Sequence, residues 1–255
     1  MRRFIGILQF LTRIPINMDI GFDEEFDKSI MYFPLVGLVL GVIYLIVTCV
    51  SLQIFDIYIA SIIFLLSEVL LTGGLHLDGL GDTFDGIYSY RDKEKILDIM
   101  KDSRLGTNAL LAILFLILLK VGFVYSIMNM NILYSLLLTP VYGRLAIVFS
   151  CYKNKTPRPG GMGNLFIGKV NNKRLSTAIL STILIVILVY IFLKISIYEV
   201  LYSVIFILVL WILTRMFTRY ITNKIDGISG DILGCWCELS QLIYLIFIYL
   251  AYRLI

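Results

Sequence analysis

Three aspartates, Asp78, Asp82 and Asp85, lie in the segment Thr72-Gly-Gly-Leu-His-Leu-Asp-Gly-Leu-Gly-Asp-Thr-Phe-Asp-Gly86. Their i, i+4, i+7 spacing puts all three on one helical face, within about 60° of each other. Like charges that close repel, so a counter-charge is expected. Mg²⁺ suits because it prefers carboxylate oxygens. One or two such ions would bridge the phosphate oxygens of a pyrophosphate substrate. The competing reading is a solvated helix start, where acids cap the helix and favour its dipole. The single histidine, His76, rules out a multi-histidine metal site within one chain. It either orients an acid and accepts a proton, or sits at a membrane interface.

Three other stretches carry polar chemistry. In Met100–Asn108, Asp102, Arg104 and Asn108 offer an acceptor, a fork of donors and an amide; the plain alternative is a helix-entry loop. In Thr156-Pro-Arg-Pro-Gly-Gly-Met-Gly-Asn164, glycines beside Arg158, with Lys169 downstream, suit a lid over anionic phosphate. The spacing is not that of a Walker loop, and a long connector reads equally well. In Lys224–Glu238, Asp231 opens an apolar segment, and Glu238 falls seven residues on, on the same face. A carboxylate two turns inside an apolar helix either has a function or pairs with a base on another helix. Glu68 and Arg144 would reach the same layer, whereas Lys120 is expected to snorkel outward.

The elements that must position these residues are membrane helices. Of the 255 residues, 59% are hydrophobic and 16% charged. Mean hydropathy is +0.91, so the expected class is an all-α, polytopic helical bundle forming one membrane-embedded domain. Seven segments are apolar enough to span: 34–55, 57–75, 109–127, 132–151, 175–193, 197–217 and 232–252. Residues 4–11 are too short and suit a helix at the interface. The N-terminal stretch and the loops after spans two, four and six hold all but four of the 22 Lys and Arg. Lys194 and Arg253 fall on the opposite side, and Lys120 and Arg144 within spans. This asymmetry predicts a cytoplasmic N-terminus and an active face in the cytoplasm. Net charge +4 reflects loop basicity, with no nucleic-acid surface. The four cysteines read as small hydrophobes.

The motifs, in this order, resemble the cobalamin 5′-phosphate synthase family, also called adenosylcobinamide-GDP ribazoletransferases. The resemblance is strongest in Thr72–Gly86. It also includes Leu11-Thr-Arg-Ile-Pro15, Phe33-Pro-Leu-Val-Gly37, Asp102-Ser-Arg-Leu-Gly-Thr107, Gly163-Asn-Leu-Phe-Ile-Gly-Lys169 and Ser229-Gly-Asp-Ile-Leu-Gly234. It implies a multi-pass enzyme of the cell membrane that requires Mg²⁺. Its substrates would be adenosylcobinamide-GDP and α-ribazole or α-ribazole 5′-phosphate, and GMP would leave. The family carry-over covers His76, Asp78, Asp82, Asp85, Asp102, Arg104, Asp231 and Glu238. Asp78, Asp82, Asp85 and Asp231 are then expected to hold the metal, with Asp82, Asp85 and His76 catalytic and Asp85 a candidate base. Arg104, Arg158 and Lys169 would offset phosphate charge, and Asn108, Arg144, Asn164 and Glu238 would complete the substrate contacts. Asp226 stands where the family commonly has glycine, and Cys235 and Cys237 where it has small residues. Partners would be the two substrates and membrane lipid, with a homo-oligomer among the assemblies allowed.

Two other classes compete. A CDP-alcohol phosphatidyltransferase also uses aspartates at a helix end, but its motif places Ala-Arg after D-G-x-x, where this chain has Asp82-Thr. A transporter would use Glu68, Lys120, Arg144 and Glu238 as a midplane relay, against which the one-sided polar loops argue.

Overall fold

A computed structural model of the chain describes residues 2–19, 21, 23–193 and 197–253. Among these are ten α-helices and two short 3₁₀ helices, with no strand. The helices are α1 (Arg2–Leu11), α2 (Phe33–Ile54), α3 (Ile57–Thr72), α4 (Leu75–Ile87), α5 (Lys93–Ile99), α6 (Thr107–Asn129), α7 (Leu133–Cys151), α8 (Asn172–Leu193), α9 (Ile197–Ile225) and α10 (Gly230–Arg253). Six are long and apolar enough to cross a membrane, or seven spans result if α3 and α4 count as one broken span. The protein is thus an all-α, polytopic membrane protein. Lys194, assigned above to the opposite side, lies outside the described residues.

Local chemistry explains the main boundaries. Asp56 caps α3 by accepting from the Ile59 amide at 2.9 Å. The second expected span, 57–75, stops early because Gly73 and Gly74 both take positive φ, +64° and +71°. That left-handed pair ends the helix. The chain then turns by 90° into α4, which lies across the end of the bundle against α10 and α6. α9 continues two turns beyond the expected 197–217 and ends before Asp226, whose φ is +60°. A left-handed position is one where glycine is favoured. Asp226 itself pairs with Lys93 at 2.8 Å.

α7 is the hub. Of its most apolar stretch 94% is buried, against 22% for α6, so α7 is surrounded by protein while α6 faces lipid. Small residues permit its close contacts, as is usual where helices lack a hydrophobic drive to associate in lipid. A Cβ on Gly37 of α2 would lie 2.6 Å from the Pro140 carbonyl oxygen, and one on Gly41 would collide with the Leu137 backbone. Outward-facing Leu114, Phe115 and Leu118 on α6, and Leu184 and Ile191 on α8, form the lipid-facing surface. Residues 4–11, expected to lie at the interface, are helical within α1, whose apolar face (Ile7, Leu8, Leu11) is buried on the 3₁₀ helix Phe26–Tyr32 and on α2.

Candidate active site

Asp78, Asp82 and Asp85 all fall on α4, as the spacing requires. What brings a fourth acid to them is the crossing of α4 and α10. At that crossing a Cβ on Gly79 would lie 2.7 Å from the Asp231 carbonyl oxygen, and one on Gly234 would lie 3.2 Å from the His76 Cα. Only glycine allows such backbone approach. Asp231, at the start of α10, therefore sits beside Asp78, with the Ser229 hydroxyl donating to its carboxylate at 3.2 Å. Burial and then the neighbouring charges of Asp78, Asp231 and Asp85 push the Asp82 carboxyl up to about 7. α4 has turned out of the span at this point, so these acids are at the end of the bundle.

Asp85 has a different environment. Its Oδ2 accepts from the Gly106 amide at 2.7 Å and its Oδ1 from the Ala109 amide at 2.8 Å. It thereby caps α6, whose own N-cap residue is a glycine without a side chain. Both oxygens are engaged, which ties α4 to α6. Among the described residues no three His, Cys, Asp or Glu side chains converge closely enough to hold a metal unaided.

A cavity of about 410 Å³ opens beside this crossing. Its polar side carries His76, Asp78, Lys101 and Asp231, and its apolar wall includes Phe10, Phe33 and Phe166. Residues Pro157–Asn164 line it. His76 is buried and its Nε2 has no hydrogen-bond partner. Desolvation holds its imidazole well below its ordinary value, so it is neutral.

The remaining expected residues divide. Asn164 lines the cavity, its amide donating to the Arg158 carbonyl at 3.2 Å. Arg158 also lines it, but its guanidinium bonds Asp98 at 3.0 Å and Glu94 at 3.2 Å, fastening the 157–164 loop to α5. Asp102 and Arg104 form a local exposed pair, and its hydrogen bonds hold the Asp102 carboxyl down at about 2. Asn108 and Lys169 are exposed and outside the cavity wall. Arg144 is fully buried in α7, without a hydrogen-bond partner for any guanidinium nitrogen, and does not line the cavity.

Lys120 requires a correction. It does not snorkel outward but is 2% exposed. Its ammonium lies 2.9 Å from Glu68 and 2.6 Å from Glu238. The physical reason is that α6 packs against both α3 and α10, so pairing with a buried carboxylate from each is available and outweighs the reach to the surface. Glu238 is thus ion-paired rather than turned to the cavity, and the putting-together of Glu68, Lys120 and Glu238 is a closed structural triad rather than an open relay. Lys101, Phe10, Phe33 and Phe166 line the cavity beyond the expected residues. Lys101 lies inside the Met100–Asn108 stretch, Phe33 and Phe166 lie inside the motifs, and Phe10 carries no such signal.

A family model described as cobalamin-5-phosphate synthase matches residues 3–249. The chain is 58% identical to an adenosylcobinamide-GDP ribazoletransferase of Clostridioides difficile (strain 630), over 98% of each chain. It is 47% identical to one of Alkaliphilus metalliredigens, over 98% of this chain and 96% of the relative. The figure is 41% for one of Clostridium acetobutylicum, over 97% and 96%. No solved structure matches the chain significantly. The α4–α10 acids therefore lie within a match that covers almost the whole sequence, and the chain belongs to the cobalamin-5-phosphate synthase family.

Proposed function

We propose that this protein is an adenosylcobinamide-GDP ribazoletransferase of the cytoplasmic membrane, working at the cytoplasmic end of its bundle. The observation that carries the reading is the α4–α10 crossing, which sets Asp78 and Asp231 on the wall of one cavity beside His76. The basic loops flank that same end, and such loops stay in the cytoplasm.

In this reading the 3′-hydroxyl of α-ribazole, or of its 5′-phosphate, attacks the phosphorus attached to cobinamide. A new O–P bond forms, the bond to the GMP oxygen breaks, and GMP leaves with that oxygen. Asp78, Asp82 and Asp231 would hold Mg²⁺, an ion commonly bound by a few carboxylates, waters and substrate phosphates rather than by a complete protein cage. Such a donor set fits three hard oxygen ligands that do not close on an ion by themselves. When bound, the ion offsets charge on the phosphate oxygens. His76, neutral and unpartnered at Nε2, takes the hydroxyl proton. Lys101 on the cavity wall supplies positive charge toward the phosphates. Asp85 positions α6 rather than acting as the base, and Arg158 holds the 157–164 loop in place. Arg104 and Lys169, exposed outside the cavity, would meet phosphate only at its rim.

The test is GMP release by purified protein in nanodiscs, given adenosylcobinamide-GDP and α-ribazole with and without Mg²⁺. Release should require the metal and both substrates. An Asp82→Asn variant that inserts normally should lose it, and full activity in that variant would sink the assignment.

A further inference from the structure

We infer that the cavity beside residues 157–164 seats the apolar base of the ribazole nucleoside, while the corrinoid half stays outside it. This inference rests on the ribazoletransferase reading above.

Size decides the first part. About 410 Å³ is within the range of sites that enclose a small ligand. It suits a nucleoside and excludes a corrin macrocycle fringed with amide arms. Chemistry decides the second. Alongside the acids, the lining is aromatic at Phe10, Phe33 and Phe166. Phe166 packs edge-on against Phe10 and Phe33, with centroids 6.0 and 5.3 Å away, and is 2% exposed. Two polar groups on the wall are already committed, Arg158 to Asp98 and Glu94, and the Asn164 amide to the Arg158 carbonyl. The guanine of the leaving GMP has an edge of amide and amine groups that this aromatic side would leave unpaired, at a cost for each. A dimethylated benzimidazole has no such edge and gains by burial against aromatic rings. The base would pack on Phe10, Phe33 and Phe166, and the same cavity carries His76, Asp78 and Asp231 for the attacking hydroxyl.

Two measurements on the full-length protein in nanodiscs test this. In a Phe166→Leu variant the KM for α-ribazole should rise about tenfold, by loss of base–aromatic contact. The KM for adenosylcobinamide-GDP should stay unchanged. In the parent protein, a photoreactive azidobenzimidazole riboside should label peptides containing Phe10 or residues 157–166, with protection by α-ribazole and none by GMP. Labelling elsewhere, protection by GMP, or a rise confined to the KM for adenosylcobinamide-GDP overturns the assignment. Labelling of the parent does not depend on the variant folding. If the parent releases no GMP from the two substrates, the ribazoletransferase reading itself fails. If it releases GMP but the label lies elsewhere, only the cavity assignment fails.

Discussion

Removing one ammonium from the middle of the bundle should cost it a large fraction of its stability. Lys120 lies 2.9 and 3.1 Å from the two oxygens of Glu68 and 2.6 Å from Glu238, and no side chain of the three is more than 6% exposed. Lys120→Met keeps the length of the side chain and deletes its charge. Two carboxylates are then buried without a cation. Breaking a buried pair by removing one partner costs about 3–5 kcal/mol. A Coulomb estimate for charges 3 Å apart at an effective dielectric near 20 is about 5 kcal/mol, which agrees. Against a total stability of roughly 5–15 kcal/mol, that loss is a large fraction. The assay is unfolding of the purified protein in mixed micelles by denaturant, with the amount inserted in membranes as a second readout. The triple variant Glu68→Leu, Lys120→Met, Glu238→Leu replaces the whole cluster by apolar groups and should recover most of the loss. It should also retain GMP release, since neither glutamate lines the cavity. A Lys120→Met protein within about 0.5 kcal/mol of the parent, the range of ordinary surface changes, would refute the reasoning. So would a triple variant no more stable than the single one.

Two further outcomes follow from the site geometry. Gly79→Ala puts a Cβ 2.7 Å from the Asp231 carbonyl and 3.0 Å from its Cα, so α4 and α10 must part. Stability should fall by about 1–3 kcal/mol and GMP release by roughly 100-fold, whereas Gly122→Ala, with nothing within 4 Å, should leave both intact. Equal behaviour of the two variants in a GMP-release assay would count against the crossing as the site's organiser. Asp85→Asn keeps one acceptor for α6 and should cost about 1 kcal/mol, with faster hydrogen exchange at the Gly106 and Ala109 amides and only partial loss of activity. Complete loss with unchanged exchange would instead make Asp85 the base.

Local pattern decided much of this protein. The apolar segments are each long enough to reveal a spanning helix, because lipid leaves the backbone no partner but itself. All seven expected segments are helical over most of their length, and Gly73-Gly74, which the hydropathy run passes over, is where the second one breaks. The common face of Asp78, Asp82 and Asp85 also follows from spacing alone, since 3.6 residues per turn is a local property. What each of those acids does was not local. Asp85 became a cap because α6 begins beside it, and Asp231 joined Asp78 because two glycines 155 positions apart let α4 and α10 touch. Lys120 turned inward because α3 and α10 each brought a carboxylate to it. Arg158, read as a phosphate ligand, was taken by α5. Periodicity specifies which way a side chain faces on its own helix. Which partner waits there depends on helix packing, and packing is set by contacts between residues far apart in the chain.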